Sequence, residues 1–234
     1  MQQKVWNVMY RDVLVDECKP SKQGWLWPAD DTGLWDGPAE NWPTFKQAIM
    51  RFVQDNKVVV QAGGGCGMYP RLLSRMFETV YTFEPTPFSF YCLNQNCAEP
   101  NIIKLNAALG ESHQMVKVKI IDPTNHGCNS IETDSTANIP QLMIDDLALP
   151  ACDFIMLDIE GYEIFALIGA QQTIALHKPV ISCENGFIES IKHFMFDLEY
   201  IAVGTFHADT WWVHRSKLSA EDLNLLDQSP AKLL

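Results

Sequence analysis

A glycine-rich segment, Gly63-Gly64-Gly65-Cys66-Gly67, lies between an apolar run and an amphipathic run, where a β-strand would turn into a helix. Glycines at such a turn let the backbone bend tightly and approach a ligand without an obstructing Cβ. Glu84 follows Gly63 by 21 positions, at the end of the next apolar run, where a carboxylate can accept hydrogen bonds from both hydroxyls of a ribose. A tight turn beside a surface glutamate is the structural alternative to such a nucleoside site.

The spacing of the glycines distinguishes between two nucleoside cofactors. Nicotinamide dinucleotides favour the fingerprint GxGxxG, which would need a glycine at position 68, and Met68 stands there. The pattern GxGxG followed by a strand-end acid suits S-adenosylmethionine (AdoMet), which has a ribose but no pyrophosphate to place on a helix N-terminus. We therefore expect AdoMet rather than NAD as the cofactor.

A second motif is the acidic run Asp158-Ile159-Glu160-Gly161-Tyr162-Glu163, which stands where a later apolar strand meets its helix. Open α/β sheets bind ligands at the carboxyl ends of their strands, and this strand neighbours the first strand in a doubly wound order. Asp158 is therefore expected beside the glycine segment, and Asp158 and Glu160 are interpreted as functional. Glu163 is interpreted as a helix-start carboxylate that the helix dipole favours.

The elements that position these residues are indicated by short apolar strands that alternate with amphipathic helices after Lys57, a pattern typical of a doubly wound α/β sheet. One long helix is expected from Gly161 to about His177, and residues 127–139 are expected to form a loop. The strands, the last two as a hairpin, are predicted over residues 57–63, 80–84, 102–108, 115–122, 153–158, 179–184, 200–206 and 210–214.

Three regions are predicted along the chain. Residues 1–56 form an N-terminal arm or cap with a leading helix, residues 57–218 form the main domain, and residues 219–234 form a C-terminal tail helix. Ser219 and Asp222 fit a capping box at the start of that tail helix.

The arm is rich in aromatic residues. Its leading helix is expected to begin at an N-cap, Thr44, and to bury an apolar face made by Phe45, Ile49, Phe52 and Val53. Its tryptophans either stack on sugar faces beside neighbouring aspartates or pack the arm against the domain. The residues concerned are Trp25, Trp27, Trp35, Trp42, Asp30, Asp31 and Asp36.

Composition and charge exclude several classes of protein. The chain of 234 residues has 29 acidic and 17 basic residues and a net charge of −12, which disfavours a dedicated nucleic-acid binder. The longest apolar stretch, residues 164–176, is broken by two glutamines and is too short to span a bilayer. The N-terminus has no basic region followed by an apolar one, and the seven cysteines include no CxxC pair, so we expect a cytoplasmic protein with mostly buried thiols.

Several segments together resemble the FkbM-type branch of the class I AdoMet-dependent methyltransferases. The resemblance covers about residues 57–185 and depends on the glycine segment, the Glu84-Pro85 pair and the acidic run at 158–163. It implies a Rossmann-like, seven-stranded, mostly parallel sheet whose last strand is antiparallel. It also implies methyl transfer to oxygen, commonly a hydroxyl of a small molecule, sugar or glycan, while methylation of nitrogen stays open.

The same resemblance assigns residues to the cofactor and shows two departures from the family. Gln61 stands where the family usually has an acid, and Met156 stands where it usually has a lysine. Gln61 can still form a hydrogen bond with the cofactor's amino group, but without charge attraction. An AdoMet-binding pseudoenzyme or regulatory protein is therefore the alternative to an active enzyme. The cofactor-binding residues implied are Gln61, Gly63, Gly65, Gly67, Glu84, Asn106, Ala107 and Asp158.

Besides binding the cofactor, a methyltransferase that acts on a hydroxyl must remove the proton of that hydroxyl, because an aliphatic hydroxyl does not ionise unaided near neutrality. Asp158, Glu160 and Glu184 are the candidate catalytic residues. Asp158 and Glu184, together with Asn185, form either a base at the acceptor or a site for a hard divalent cation such as Mg²⁺. For Glu184, capping of the next helix is the alternative. The six histidines are rival bases that the sequence does not separate, and a homo-oligomer is compatible with the sequence.

Overall fold

The structure, a computed structural model, describes residues 8–11, 25–31, 37–184, 188–206 and 208–228. Its helices are α1 (Gly37–Phe52), α2 (Met68–Leu73), α3 (Pro87–Asn96), α4 (Glu163–Ile168), α5 (Gln171–His177), α6 (Glu189–Asp197) and α7 (Ala220–Gln228). Its strands are β1 (Val8–Arg11), β2 (Trp25–Pro28), β3 (Val58–Ala62), β4 (Thr79–Phe83), β5 (Ile102–Leu105), β6 (Ala108–Leu109), β7 (Gln114–Lys119), β8 (Ser130–Glu132), β9 (Ile139–Leu142), β10 (Phe154–Leu157), β11 (Val180–Glu184), β12 (Tyr200–Phe206) and β13 (Asp209–His214).

Seven strands form the main sheet in the order β12-β13-β11-β10-β3-β4-β5. Neighbouring strands are parallel, except that β13 runs antiparallel to both β11 and β12. Successive residues of β3 and β10 alternate between two clusters of buried side chains, one on each face of the sheet, because a sheet covered on both faces needs apolar residues on both. The predicted Rossmann-like α/β fold with an antiparallel last strand is confirmed.

The chain reverses its progress across the sheet after β5. Strands β3, β4 and β5 follow one another outward, and the chain then returns to β10, which pairs with the other side of β3. The carboxyl ends of β3 and β10 therefore form the topological switch point, where open α/β sheets bind ligands. There the N–H of Asp158 donates to the carbonyl of Ala62 at 3.2 Å, so the acidic run begins beside the glycine segment, as predicted.

A small second sheet with the order β6-β9-β7-β8 lies between β5 and β10 in the chain. The single strand predicted over residues 102–108 is wrong, because β5 belongs to the main sheet and β6 pairs with β9 of the small sheet. The loop predicted over residues 127–139 is also wrong in part, because β8 lies within it and pairs with β7. Strand β8 has only three residues, which are too few for the sequence to show an alternation of apolar and polar positions. Lys117 of β7, within 3.0 Å of Glu132, adds an attraction across the pair that the pattern does not reveal.

The single long helix predicted after the acidic run is two helices, α4 and α5, which meet at Gly169. The backbone there packs so closely that a Cβ on Gly169 would lie 2.0 Å from the carbonyl oxygen of Gly110. Asp145 stabilises the new helix start, since its N–H donates to the carbonyl of Gly169 and its carboxylate accepts the N–H groups of Gln172 and Thr173 at 3.0 and 2.8 Å. These contacts come from distant parts of the chain. The apolar periodicity of residues 161–177 therefore gives no sign of the break.

The leading helix α1 begins at Gly37, so the predicted start at Thr44 is wrong. Pro43 lies inside the helix, where a proline lacks an N–H donor and its ring crowds the carbonyl four residues earlier, but the helix continues through it. The predicted apolar face is confirmed, because Phe45, Ile49 and Phe52 are buried in the core.

The aromatic arm is attached to the main domain through β2, which pairs with β1 in an antiparallel ribbon. Trp25 and Trp27 are buried, and the guanidinium group of Arg71 lies 5.1 Å from a ring centroid of Trp25. These contacts confirm the packing interpretation for Trp25, whereas Trp27 is buried and also lines the cavity described below. Trp35 and Asp36 lie outside the described residues.

The tail helix α7 has the predicted capping box. The N–H of Ser219 donates to the carboxylate of Asp222 at 3.1 Å, and the N–H of Asp222 donates to the hydroxyl of Ser219 at 3.0 Å. Six cysteines are described, and all are free thiols, five of them buried, as expected. Within the described part of the chain, no helix has the length and apolar character needed to cross a membrane.

Candidate active site

A cavity of about 330 Å³ opens beyond the carboxyl ends of β3, β4 and β10. This is the position that the topology favours for a ligand, and the volume falls within the range of about 300–1,000 Å³ of small-molecule sites. The wall is built from both predicted motifs, from the arm and from the small sheet. It consists of Trp27, Asp31, Asn41 and residues of the stretches 62–69, 83–89, 107–109, 125–131 and 158–162.

Three glycines of the predicted cofactor loop adopt left-handed backbone angles, with φ of +84° at Gly63, +51° at Gly65 and +102° at Gly67. A Cβ at Gly63 would lie 2.0 Å from the carbonyl oxygen of Asp158, and one at Gly67 would lie 2.5 Å from the sulfur of Cys97. Gly63 and Gly65 line the cavity, whereas Gly67 packs behind it. The loop therefore depends on glycine both for its backbone angles and for its close packing.

Glu84 lies in the cavity wall and is only 6% exposed. Its carboxylate accepts the N–H of Gly65 at 2.8 Å and the N–H of Thr86 at 2.7 Å, so it holds the glycine loop against the next segment. Burial raises its pKa to about 7, against these two hydrogen bonds, which lower it. A carboxylate offers about four lone-pair positions, so ligand hydroxyls can bind in addition to these two donors.

Gln61 lies beneath the glycine loop and not in the cavity wall. Its amide nitrogen donates to the carbonyls of Ala62 at 3.2 Å and Gly63 at 2.9 Å, and its amide oxygen accepts the hydroxyl of Thr82 at 2.6 Å. The structure therefore does not bring this predicted cofactor-binding side chain to the ligand. It makes Gln61 a support for the loop.

The predicted adenine region divides into a wall residue and a supporting residue. Ala107 lines the cavity, while the side chain of Asn106 donates to the carbonyls of Glu84 at 2.8 Å and Pro85 at 3.2 Å. Met156, the second departure from the family pattern, is buried in the core of the domain.

The three candidate catalytic carboxylates, those of Asp158, Glu160 and Glu184, have oxygen atoms that all lie within 4.8 Å of one another. Asp158 follows β10 and Glu184 ends β11, so the parallel pairing of these strands places the two side by side. Asp158 and Glu160 belong to the cavity wall. Asn185, the other predicted ligand of a cation, lies outside the described residues.

Burial and mutual repulsion favour the protonated forms of these acids. Burial, then the charge of Glu184, holds the pKa of Asp158 well above its usual range. The same two causes raise the pKa of Glu160 to about 7, and burial raises the pKa of Glu184. Asp209 of β13, which faces Glu184 across the strand pair, has its pKa raised to about 7 by burial. Groups with a pKa near 7 can exchange protons readily at neutral pH.

Glu163 has the structural role that the sequence indicated. It is fully buried, and its carboxylate accepts the N–H groups of Ile159 at 3.0 Å and Gly161 at 3.3 Å, directly before α4. These bonds hold a turn in which Glu160 has φ of +55°, an angle that costs free energy in a residue with a side chain. By holding this turn, Glu163 orients the side chain of Glu160.

Sequence reasoning missed three parts of this site. Asp209 joins the acids because of the antiparallel register between β11 and β13, and the predicted hairpin supplied no register. Tyr69 lines the cavity, and burial, followed by the charges of Asp209 and Asp158, raises the pKa of its hydroxyl. Asp31 of the arm also lines the cavity, although the sequence indicated only an association with sugars. Of the histidines in the described residues, His126 is in the wall, 3.4 Å from the carboxylate of Asp30.

The strand order and the glycine-lined cavity at its switch point define a class I methyltransferase fold. A family model described as the methyltransferase FkbM domain matches residues 72–211, which is more than half of the chain. The chain therefore belongs to the FkbM methyltransferase domain family, as the sequence motifs predicted. Membership in this family implies AdoMet as the cofactor.

Solved structures that the chain resembles share little sequence with it. A methyltransferase FkbM from Methylobacillus flagellatus KT is 22% identical, with a TM-score of 0.50 over 72% of this chain and 45% of that one. A precorrin-6y C5,15-methyltransferase from Geobacter metallireducens GS-15 is 13% identical, with a TM-score of 0.43 over 85% and 92%. An rRNA methylase from Streptococcus thermophilus is 9% identical, with a TM-score of 0.44 over 72% and 92%. The chain thus matches less than half the length of the Methylobacillus protein, and no curated protein matches it significantly in sequence.

Proposed function

We propose that the protein is an AdoMet-dependent O-methyltransferase that acts on a hydroxyl of a small molecule, sugar or glycan. One observation carries the proposal: the glycine loop, Glu84 and the acids Asp158 and Glu160 all line a single cavity. A nucleoside site and a group able to accept a proton are thereby next to each other. Buried free thiols suit a reducing compartment, so we also propose a cytoplasmic protein.

The residues present fit AdoMet. The glycines of the loop, Gly63, Gly64 and Gly65, present no Cβ atoms to the cavity. Glu84 offers acceptor positions for the ribose hydroxyls, and Ala107 presents a small apolar surface for the adenine. When bound, AdoMet supplies a methyl group on a positively charged sulfur, which is already activated for transfer. The protein then has to align the acceptor and remove its proton.

Glu160 is proposed as the proton acceptor. Its pKa of about 7 means that the ionised form is present at neutral pH and can still take up a proton from an acceptor hydroxyl. Glu163 orients it through the turn described above, and burial, followed by the charges of Glu184 and Glu163, keeps the pKa of Glu160 high. We further propose that residues 57–218 carry this chemistry, with residues 1–56 as a cap and residues 219–234 as a tail.

A divalent cation held by Asp158, Glu160 and Glu184 is the alternative use of the same acids. Carboxylate oxygens are the ligands that Mg²⁺ prefers, and three of them converge here. The two uses differ in one measurement. Exhaustive treatment with a chelator should leave methyl transfer unchanged if Glu160 is a base and abolish it if a cation activates the acceptor.

A second candidate function is cofactor binding without catalysis. It is favoured by the neutral Gln61 and the buried Met156, which replace the family's usual acid and lysine. Such a protein would bind AdoMet without transferring its methyl group, and its AdoMet-bound form would regulate another molecule.

Calorimetric titration with AdoMet and with its product S-adenosyl-L-homocysteine tests the proposal. The wild type should bind both, and Glu84→Ala should weaken binding about 10-fold or more, because a charge-assisted hydrogen bond is lost. Glu78→Ala is the matched control, since Glu78 is exposed and lies just before β4, at the end of that strand opposite to Glu84. Binding with no methyl transfer to a broad panel of hydroxyl acceptors would support the second candidate, and failure to bind would overturn both.

A further inference from the structure

Two residues of the cavity wall, His126 and Asn129, each have a buried polar atom without a hydrogen-bond partner among the described residues. The atoms are Nδ1 of the imidazole ring and Oδ1 of the amide. Buried polar groups in folded proteins nearly always have a partner, and one left unpaired is destabilising. Because both residues line the cavity, a molecule that fills it is in position to supply the missing partners.

The two side chains belong to one short 3₁₀ turn, His126–Cys128, which ends at Asn129. Side chains three positions apart eclipse each other in this geometry, and the N–H of Asn129 donates to the carbonyl of His126 at 3.4 Å. Asn125 starts the turn, since its side chain accepts the N–H of Gly127 at 3.1 Å. The local structure therefore places the two polar groups on the same side of the turn.

Both unpaired atoms are hydrogen-bond acceptors. An amide oxygen such as Oδ1 of Asn129 can only accept. Nε2 of His126 lies 3.4 Å from the carboxylate of Asp30, in the turn after β2. A ring nitrogen beside a carboxylate carries the proton, which leaves the other nitrogen of the neutral ring, Nδ1, as an acceptor. The pair therefore requires O–H or N–H donors from a ligand.

The turn lies beside the residue proposed above as the proton acceptor. The hydroxyl of Ser130, the neighbour of Asn129, donates to the backbone carbonyl of Glu160 at 3.1 Å. Burial, followed by the charge of Glu160, raises the pKa of the Cys128 thiol, so the carboxylate of Glu160 acts on the turn itself. These contacts associate the two unpaired atoms with the part of the cavity where the methyl acceptor gives up its proton.

The charges in the wall point to the same kind of ligand. The described residues that line the cavity include no lysine or arginine, whereas Glu84, Asp158 and Glu160 belong to them. A phosphate or carboxylate on the acceptor would find no cationic side chain among these residues. An acceptor that is rich in donors and carries no anionic group fits this surface better.

We propose that His126 and Asn129 bind a hydrogen-bond donor of the acceptor, a hydroxyl or an amine that neighbours the hydroxyl to be methylated. The inference rests on the proposed function, which defines the acceptor. In this arrangement His126 and Asn129 determine which acceptors are used, and Glu160 takes the proton. Asp30 is a positioning residue that keeps the proton of His126 on Nε2.

The test uses acceptors in matched sets: a 1,2-diol, the corresponding 2-amino alcohol and the alcohol without the second group, on cyclohexane and pyranoside rings. Formation of S-adenosyl-L-homocysteine by the full chain measures turnover. The wild type should prefer the diol or the amino alcohol, and that preference identifies the donor. Asn129→Leu keeps the size of the side chain but removes its acceptor. It should lower kcat/KM about 10-fold for the preferred compound and less than about 2-fold for the simple alcohol.

Two further measurements separate this role from a structural one. The affinity of Asn129→Leu for S-adenosyl-L-homocysteine should equal that of the wild type, and its melting temperature should not fall, because the substitution removes a buried unpaired atom. His126→Phe should change the acceptor preference in the same direction. Asn138→Leu is the matched control, since Asn138 is exposed, precedes β9 and is not part of the cavity wall, and it should change none of these quantities.

The possible outcomes separate this inference from the proposed function. An equal loss with all three acceptors would assign Asn129 to folding, a weaker affinity for S-adenosyl-L-homocysteine would assign it to the cofactor, and no loss at all would assign the unpaired atoms to water. Each of these results, or a wild type that prefers the simple alcohol or a sugar phosphate, overturns the inference and leaves the proposed function intact. Wild-type protein that binds AdoMet but methylates no hydroxyl compound overturns the proposed O-methylation, and the inference with it.

Discussion

Gly63 and Asp158 approach each other so closely that a Cβ on the glycine would lie 2.0 Å from the aspartate's carbonyl oxygen. The contact joins the two predicted motifs, because Gly63 begins the glycine loop after β3 and Asp158 begins the acidic run after β10. A side chain at position 63 would push the two segments apart, and with them the cofactor loop and the proposed catalytic acids.

Gly63→Ala should therefore destabilise the protein by about 2–5 kcal/mol, the sum of an unfavourable left-handed angle and a backbone clash. Gly65→Ala is the matched comparison, since φ there is also positive but no atom lies within 4 Å of the added Cβ. It should cost only about 1–2 kcal/mol. Urea denaturation of both variants measures the difference, and equal losses would contradict the close packing of Gly63.

The buried carboxylate of Glu84 should make stability depend on pH. Its folded-state pKa of about 7 exceeds its ordinary value of 4.5, so the folded protein binds a proton that the unfolded chain has released. The free energy of unfolding should therefore fall as pH rises through this window. Glu84→Gln mimics the protonated form, so its stability relative to the wild type should be higher at pH 8 than at pH 5.

Urea denaturation at the two pH values gives this relative stability directly. Glu78→Gln removes an exposed carboxylate and serves as the control, with a difference that should stay nearly constant. A wild type and a Glu84→Gln variant that respond identically to pH would show that Glu84 is not the buried, proton-binding group described above.

The reaction itself should respond to pH through Glu160. A base must be ionised to accept a proton, so kcat/KM should rise with pH and level off above about 7. Glu160→Gln should lower kcat by about 10²–10⁴-fold and remove this rise, while leaving the affinity for S-adenosyl-L-homocysteine nearly unchanged. Glu189→Gln, an exposed acid of α6, should behave like the wild type. A normal pH profile in Glu160→Gln would assign the proton to another group.

The break between α4 and α5 depends on a cap supplied from outside both helices. Asp145→Ala removes the acceptor for the N–H groups of Gln172 and Thr173 and should cost about 1–2 kcal/mol of stability. Asp146→Ala is the neighbouring control, because its contact with His113 at 3.0 Å joins two exposed groups and should contribute less than about 0.5 kcal/mol. Thermal unfolding of both variants distinguishes them, and similar melting temperatures would argue against the cap.

The sequence predicted what depends on local patterns. The strand–helix alternation gave the main sheet, and the adjacency of β3 and β10 brought Asp158 to the glycine loop. The sequence alone could not show that Thr82 forms a hydrogen bond with Gln61, since that bond depends on the register of β3 with β4. The same limit applies to Asp209, whose position opposite Glu184 is set by a strand register. Asp31 lines the same cavity as the glycine loop although it is distant from that loop in sequence, and the bonds of Asn96 to Leu26 and Cys66 join the two segments.

The small sheet has a consequence for how this protein can diverge. Residues 125–131 of the cavity wall lie in or beside it, outside the parallel strands that carry the glycine loop and the acids. Insertions or exchanges in that region would reshape one side of the cavity without altering the register of any main-sheet strand. Selection can therefore retune which molecule is accommodated while the methyl-donor machinery is inherited intact.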